Sequence, residues 1–446
     1  MTRTEINYRC YRLIFLAATV VALLFSSSTL HADRLQDLLK PLNRASVLLL
    51  NPENEAVISI AADQPLIPAS TMKLVLSVLA LEHWGAEHRF ETRFRLDKES
   101  RLWVVGQGDP FLVSEEIAII ARQLAACLNN GEVDGCNPSA RVSPVKGLAA
   151  DNSYFSVSRD NPWLADSDNP YDARPDALSA NFNTVNLQLQ AGILVSAEQQ
   201  TPLTSVAKAR AGELGFITNA DGADVKGRFN LGPVTSGRAA LNFLQILELL
   251  LEQNAGGNLP LSLPLAASVG TAPGDGEIYV HENSRTLAEV LEAMLLYSTN
   301  FIANQLSLAL GAELHTKPGT FQSFEKVAAS QLKSIPNWGK AVVREGAGLS
   351  RDNRLSTRQL IAVIDRLQPW YDLLPEYREN VFAKTGSLDG VSSLAGIIKP
   401  DVPSNSGEFA GSWRFALILN DRAVVNSKQR DAVLDELQRV VNEGER

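Results

Sequence analysis

The 446-residue chain predicts an α/β (α+β) fold interrupted by a long insertion. Three observations carry that prediction. Strand-like runs at 45–50 and 56–60 lead into a helical run that follows Ser70. At the far end, strand-like runs at 381–386, 392–398 and 413–419 lead into an amphipathic helix over 427–442. Between these ends, from about residue 88, the texture changes to short strands, polar loops and isolated helices. A chain that leaves one α/β domain and later returns to it reads this way.

The first 32 residues read as an export signal. Arg3, Arg9 and Arg12 make a basic start, Leu13–Phe25 is largely apolar, and Leu30-His31-Ala32 fits a cleavage site. The apolar run is short for a membrane span, which leaves an uncleaved anchor as the alternative. Cys10 lies in the basic start, so no lipid-modified cysteine is expected at the cleavage point. Removing three Arg and one Glu takes the formal charge from −9 to −11. An acidic exported chain argues against nucleic acid as a partner. Two cysteines then remain, Cys127 and Cys136. In an oxidising compartment they can close a small loop around Asn129-Asn130-Gly131, the alternative being two unpaired thiols. The five histidines show no ligand spacing and there is no C-x-x-C, so neither a metal nor a cofactor is expected.

About 414 mature residues exceed one ordinary core, so two or more domains are expected. Asn51-Pro52-Glu53-Asn54 makes the turn between the first two strands. Residues 95–105 read as strand, 115–127 as helix and 151–184 as irregular surface rich in Asp, Asn and Pro. Residues 188–234 read as several short strands, 237–251 as an apolar-faced helix and 256–264 as a Gly/Pro linker. Helices follow at 286–297 and 301–311.

The chemistry lies in three short motifs. Ser70 and Lys73 form S-x-x-K at the start of the first helix, where a three-residue spacing puts both on one face. A serine hydroxyl needs a base within reach, and a lysine of lowered pKa can be that base. The spacing alone selects nothing, because Ser143–Lys146, Ser205–Lys208, Ser323–Lys326 and Ser330–Lys333 share it. Ser298-x-Asn300 supplies a hydroxyl and an amide beside a rigid helical run. Its rivals, Ser167-Asp168-Asn169 and Ser179-Ala180-Asn181, fall in the irregular stretch. Lys384-Thr385-Gly386 occurs once, on a predicted strand. Its lysine and hydroxyl can bind a carboxylate, and its glycine lets a ligand backbone approach.

In that order, S-x-x-K, S-x-N and K-T-G are the elements of the penicillin-recognising serine acyltransferases. With Gly106-Gln107-Gly108-Asp109-Pro110, Ala177–Asn181, Tyr297–Gln305, Gly348-Leu349-Ser350-Arg351 and Ala383–Leu388, nearly all of the mature chain resembles the D-alanyl-D-alanine carboxypeptidase/endopeptidase family. These are low-molecular-mass class C penicillin-binding proteins of the penicillin-binding protein 4 type. The resemblance implies a β-lactamase/transpeptidase-like serine acyltransferase domain from 33–88 and 280–446. It implies an inserted domain from 89–187 and 255–279, and a second nested in it over 188–254.

It further implies that Ser70 is the nucleophile and that Lys73, kept neutral by burial and a nearby Lys384 cation, is the base. Ser298 would relay a proton and Asn300 would hold a substrate carbonyl. Lys384 and Thr385 would bind the terminal carboxylate beside Gly386, and the N–H groups of Ser70 and Ser387 would form an oxyanion hole. A looser correspondence puts Arg351 and Asp166 near the substrate's diamino-acid end. Peptidoglycan stem peptides and cross-links would be the substrates, β-lactam antibiotics covalent inhibitors, and the periplasm the location. A β-lactamase and a non-catalytic penicillin-binding module are the rival readings. One stretch departs from the family: Arg344-Glu345-Gly346-Ala347-Gly348 has Glu and Ala where Asp and Ser are usual.

Overall fold

The computed structural model describes residues 34–42, 44–129, 133–137, 144–157, 161, 163–164, 166–216, 225–232, 237–254, 261–400, 408–421 and 426–444. The export signal, with Cys10 and the cleavage site at Ala32, lies outside the described residues, as do residues 256–260 of the expected linker. The fold divides into two compact units, one of residues 1–71 with 354–446 and one of residues 72–353.

The first unit is built on a six-stranded sheet in which every neighbouring pair is antiparallel. Its spatial order is Glu376–Arg378, Val381–Leu388, Val391–Ile398, Trp413–Asn420, Ala45–Leu50, Ala56–Ile60. Strand side chains alternate between faces. Val47, Leu49, Phe415, Leu417 and Leu419 meet Val433, Leu434, Leu437 and Val441 of the C-terminal helix Ser427–Gly444. Ser46 points the other way and bonds Thr357 at 2.7 Å, on the helix Thr357–Arg366, which buries Leu360, Ile361 and Ile364. The Val391–Ile398 strand is buried at all of its positions because both faces are covered. Apolar residues without alternation are what such a central strand requires.

The second unit holds two sheets and a helical cluster. One sheet has the order Glu277–Glu282, Glu91–Leu96, Arg101–Val105, Val145–Asp151, Leu261–Val269. Its first two pairings are antiparallel and its last two parallel. The helices Ser114–Leu128 and Arg238–Asn254 pack Ile117, Ile120, Leu124, Phe243, Leu244 and Leu247 against it. The other sheet, Ile193–Ser196, Thr184–Gln190, Val225–Asn230, is antiparallel and packs on the helix Ser205–Glu213. The helices Met72–Trp84, Leu287–Tyr297, Asn300–Leu314 and Phe321–Gln331 complete the unit. Met72 to Leu81 is buried without a break, the mark of a helix enclosed on all sides.

Several boundaries differ from the sequence reading. Residues 95–105 are the end of one strand and the whole of another, because Asp97 accepts N–H bonds from Glu99 and Arg101 and turns the chain. The three-stranded sheet begins at Thr184, not 188, and the 238–254 helix packs on the five-stranded sheet while also bonding the Ser205–Glu213 helix end through Asn242 and Gln245. Residues 261–264 of the expected linker begin the strand Leu261–Val269. By compactness the expected 33–88 and 280–446 domain divides. Its central helices group with the inserted sheets because Leu308, Ala309 and Phe321 share a core with Phe155, Leu164 and Ala177.

Candidate active site

In the first unit, a 3-10 turn, Ala69–Thr71, presents Ser70. Ala69 has φ +49, a left-handed backbone that costs a non-glycine residue roughly 1 kcal/mol or more. Such strain persists only where the surroundings impose it. Here Asn420 holds Ile67 by both its amide groups, at 2.8 and 3.1 Å. Pro68 O accepts from Thr71 Oγ1 at 2.7 Å and from Ser393 Oγ at 2.6 Å. Gly386 closes the arrangement, since a Cβ there would lie 2.8 Å from Pro68 O and 2.9 Å from Ser70 N. The glycine is therefore required by the chain's own serine turn, not only by an approaching ligand as the sequence suggests.

Lys384 lies two residues before Gly386, on the same face of the Val381–Leu388 strand. Its side chain is 1% exposed. Nζ donates to Thr385 O at 3.0 Å and to Thr385 Oγ1 at 3.4 Å. Burial pulls the ammonium down to about 8, and the Arg430 guanidinium adds to the effect. Thr385 is half-buried and Ser387 exposed, paired across the ladder with Leu394 and Ser392.

In the second unit, Lys73 sits in the first turn of the Met72–Trp84 helix and is fully buried. Its Nζ donates to Asn300 Oδ1 at 2.9 Å and to Ala347 O at 2.7 Å. Ser298 ends the Leu287–Tyr297 helix in a left-handed conformation, φ 54 and ψ 37. The reversal lets a new helix start at Asn300. Asn300 Nδ2 donates to Tyr171 O at 3.3 Å. Two of the predicted motifs, S-x-x-K and S-x-N, thus meet within this unit through Lys73 and Asn300. Asp166 and Arg351 are exposed. Sequence reasoning missed Ala347, whose contribution is a backbone carbonyl and leaves no residue-type signal.

The rival S-x-N sequences are spent on structure. Ser167 bonds Asp172, and Asp168 pairs with Arg210. Asn181 accepts from Ser114 N and donates to Ser114 Oγ, both at 2.8 Å, holding the start of the Ser114–Leu128 helix. Gln305 of the Asn300–Leu314 helix donates to Asp176 O at 2.9 Å, and burial pushes the Asp176 carboxyl up to about 6. Cys127 and Cys136 are joined as a disulfide, with Cα atoms 5.8 Å apart. Among the described residues, no group of three His, Cys, Asp or Glu side chains could hold a metal ion. Nor, among them, is any helix long and apolar enough to cross a membrane.

The model of the D-Ala-D-Ala carboxypeptidase 3 (S13) family matches residues 33–214 and 236–375, well over half of the chain. The chain belongs to this family. A serine-type D-Ala-D-Ala carboxypeptidase, the expected enzyme class, is the class the S13 family defines. An Actinomadura D-alanyl-D-alanine carboxypeptidase is 26% identical over 412 residues, covering 78% of this S13 chain and 73% of its own length. The crystal structure of penicillin binding protein 4 (dacB) from Haemophilus influenzae covers 92% of this chain and 98% of its own. It has a TM-score of 0.67 at 18% identity, so the two chains share a fold. A predatory peptidoglycan endopeptidase of Bdellovibrio bacteriovorus has a TM-score of 0.50 at 16% identity, covering 90% of this chain and 92% of its own.

Proposed function

We propose that this chain is an exported serine DD-peptidase of peptidoglycan that works through a Ser70 acyl-enzyme and is blocked by penicillin. The observation that carries the reading is the pair of bonds from buried Lys73 Nζ to Asn300 Oδ1 and Ala347 O. An uncharged amine has two N–H groups. The Asn300 and Ala347 oxygens orient these groups, and the lone pair of a neutral amine is what takes a proton.

In the reaction, Ser70 Oγ attacks the carbonyl between two terminal D-alanines while its proton passes to Lys73 Nζ. The tetrahedral oxyanion is held by the N–H groups of Ser70 and Ser387, each worth about 3 kcal/mol in comparable sites. The C–N bond breaks, and the leaving amine takes a proton from Lys73 by way of Ser298. Water then cleaves the ester, returning the hydroxyl to Ser70 and releasing the shortened peptide. Asn300 and the Lys384–Thr385 pair fix the substrate by its peptide carbonyl and its terminal carboxylate. Arg351 and Asp166 serve the diamino-acid end. Cross-links between D-amino acids present the same bond, and the Bdellovibrio relative named as an endopeptidase supports extending the reading to them.

Penicillin carries a strained amide beside a carboxylate, so Ser70 opens it and is left as a stable ester. The Haemophilus protein has been crystallised with a β-lactam, which supports this part of the reading. The basic, apolar and small-residue segments of 1–32 support export to a periplasm. The test is the intact mass of the mature protein after benzylpenicillin, followed for hours beside Ser70→Ala. One slowly lost adduct of penicillin mass, absent from the variant, is expected. An adduct gone in seconds makes the chain a β-lactamase. None on folded protein makes it a non-catalytic module.

A further inference from the structure

We infer that Glu345 is the positioning residue of the Lys73 base, acting through the carbonyl of Ala347. The inference rests on the reading of Lys73 as the base, and its geometry lies wholly within the second unit.

Glu345 is fully buried. Among the described residues no lysine, arginine or histidine forms an ion pair with it. Four N–H donors surround its carboxylate instead. Oε2 accepts from Ala347 N at 2.7 Å and Gly348 N at 3.0 Å, and Oε1 from Ser350 N at 2.9 Å and Asn353 Nδ2 at 2.7 Å. An enclosed carboxylate is tolerable only with such a set. Three of the donors are backbone groups two to five residues further on, so the loop is wound around the carboxylate. Asn353 Oδ1 closes the ring by accepting from Arg344 N at 2.8 Å. The Arg344 side chain turns outward to Glu325.

This loop is wedged between the two helices that carry the lysine and its amide partner. Gly346 N donates to Ser307 Oγ at 3.1 Å, on the Asn300–Leu314 helix. A Cβ at Gly346 would lie 2.6 Å from Ser307 Oγ and 2.8 Å from Leu76 Cδ2, on the Met72–Trp84 helix. The next residue, Ala347, gives its N–H to Glu345 and its carbonyl to Lys73. The peptide unit that carries this carbonyl also bears the Gly348 N–H, which is bonded to Glu345, so one peptide unit links carboxylate to amine. The carboxylate sets where that carbonyl stands, and with it where Nζ is held. Glutamine in place of Glu345 has one acceptor oxygen, and its NH2 would face donors. The loop would shift and Ala347 O would withdraw from Nζ.

The experiment measures the second-order rate of acylation by benzylpenicillin from pH 5 to 10 for the wild type, Glu345→Gln and Glu345→Asp, with melting curves for each. Displacing a reacting group by about 1 Å costs roughly 100-fold. We expect a loss of that order in folded Glu345→Gln, a displaced ascending limb of its pH profile, and recovery in Glu345→Asp to within roughly fivefold, because the charge and both acceptor oxygens are kept. Wild-type rate and profile in Glu345→Gln overturn the inference. So does a slow Glu345→Gln with an unmoved limb and no recovery in Glu345→Asp, the result of a merely structural role. If Glu345→Gln does not fold, Asn353→Ala, which removes one donor and leaves the carboxylate, is judged by the same limb: displacement supports the inference and an unmoved limb overturns it. A wild type that is not acylated overturns the proposed function itself, and is told apart by that control.

Discussion

Each compact unit encloses a lysine, and the two are treated in opposite ways. Lys73 is supplied with acceptors: an amide oxygen, a backbone carbonyl and, behind that carbonyl, the Glu345 carboxylate. Lys384 is equally enclosed, and among the described residues its acceptors are the carbonyl and hydroxyl of its neighbour Thr385, with a guanidinium contributing against it. Taking an ammonium out of water is costly unless partners replace the water. Among the described residues Lys73 meets two acceptors from distant parts of the chain at 2.9 and 2.7 Å, whereas those of Lys384 belong to its own neighbour and are longer, at 3.0 and 3.4 Å. A held amine can be aimed at one atom. An under-served ammonium gains most when a substrate carboxylate arrives. The difference is what separate roles as base and carboxylate binder would require.

The sharpest way to break this contrast is to remove each amine in turn. Lys73→Met should lower penicillin acylation by roughly 1000-fold or more, the range of a lost general base. It should also destabilise the protein by roughly 1–3 kcal/mol, because Ala347 O and Asn300 Oδ1 lose their donor. Lys384→Met should lower acylation less, by roughly 100-fold, the order of a lost charge-assisted contact with a carboxylate. Its stability effect should have the opposite sign, a gain of up to roughly 3 kcal/mol at pH 7. Stopped acylation assays and urea midpoints on the two variants decide the matter. Two variants destabilised alike would end the comparison.

The Lys384 gain carries its own pH signature. A value near 8 lies below the ordinary 10.5 of a lysine. Below about pH 8 both folded and unfolded chains hold the proton, and the full cost of burying the charge is borne. Between about 8 and 10.5 the folded chain releases the proton and the unfolded chain keeps it, so wild-type stability rises with pH relative to Lys384→Met. The advantage of Lys384→Met should therefore shrink across that window, in urea melts of both proteins at pH 7 and pH 10. Acylation of the wild type should fall above about pH 8 as the carboxylate partner loses its charge. A gap that stays constant with pH would mean that Lys384 is not buried as an ammonium.

How much of this was legible depends on what kind of atom does the work. Ala45–Leu50 and Ala56–Ile60 could be read to the residue, because apolar strand runs flank an Asn-Pro-Glu-Asn turn. Ser70, Lys73, Ser298, Asn300 and Lys384 could be picked out because the roles proposed for them lie in side chains whose types and order form a pattern. The Val145–Asp151 strand escaped notice because Gly147, Ala149 and Ala150 give it little strand character, and parallel neighbours stabilise it from outside. The helix Ser205–Glu213 shows no strong apolar stripe, and Thr204 starts it by accepting from Ala207 N. The capping box Ser356–Gln359 was there to be read and marks the start of the Thr357–Arg366 helix. Ala347 could not be read at all.

A smaller perturbation asks how closely the serine turn must fit the strand that carries Lys384. Gly386→Ala puts a methyl group 2.3 Å from Ser393 Oγ as well as against Pro68 O and Ser70 N. Backbone must move, since two of the three obstacles are backbone atoms. Overpacking of this kind costs about 1–3 kcal/mol. The strand and the Ser70 turn should part slightly, and acylation should fall by roughly tenfold, less than for either lysine, because every reacting group remains. Melting temperature and acylation rate on the same preparation measure both. A variant as active as the wild type would show that the turn tolerates displacement and that the strain at Ala69 serves no positioning.

The disulfide should matter least to the chemistry. Cys127 and Cys136 are nine residues apart, at the end of the Ser114–Leu128 helix and beside Tyr279 of the five-stranded sheet. A closed loop of that size stabilises by about 2–3 kcal/mol, by restricting the unfolded chain. It shares no residue with the contacts that hold Lys73 or Lys384. Cys127→Ser with Cys136→Ser should therefore lower the unfolding midpoint by that amount and leave penicillin acylation at 25 °C within about twofold, because distant sites act independently. If acylation fell with stability, the inserted sheet would be coupled to the lysine pocket, and the contrast between the two lysines could not be read as a local property of each.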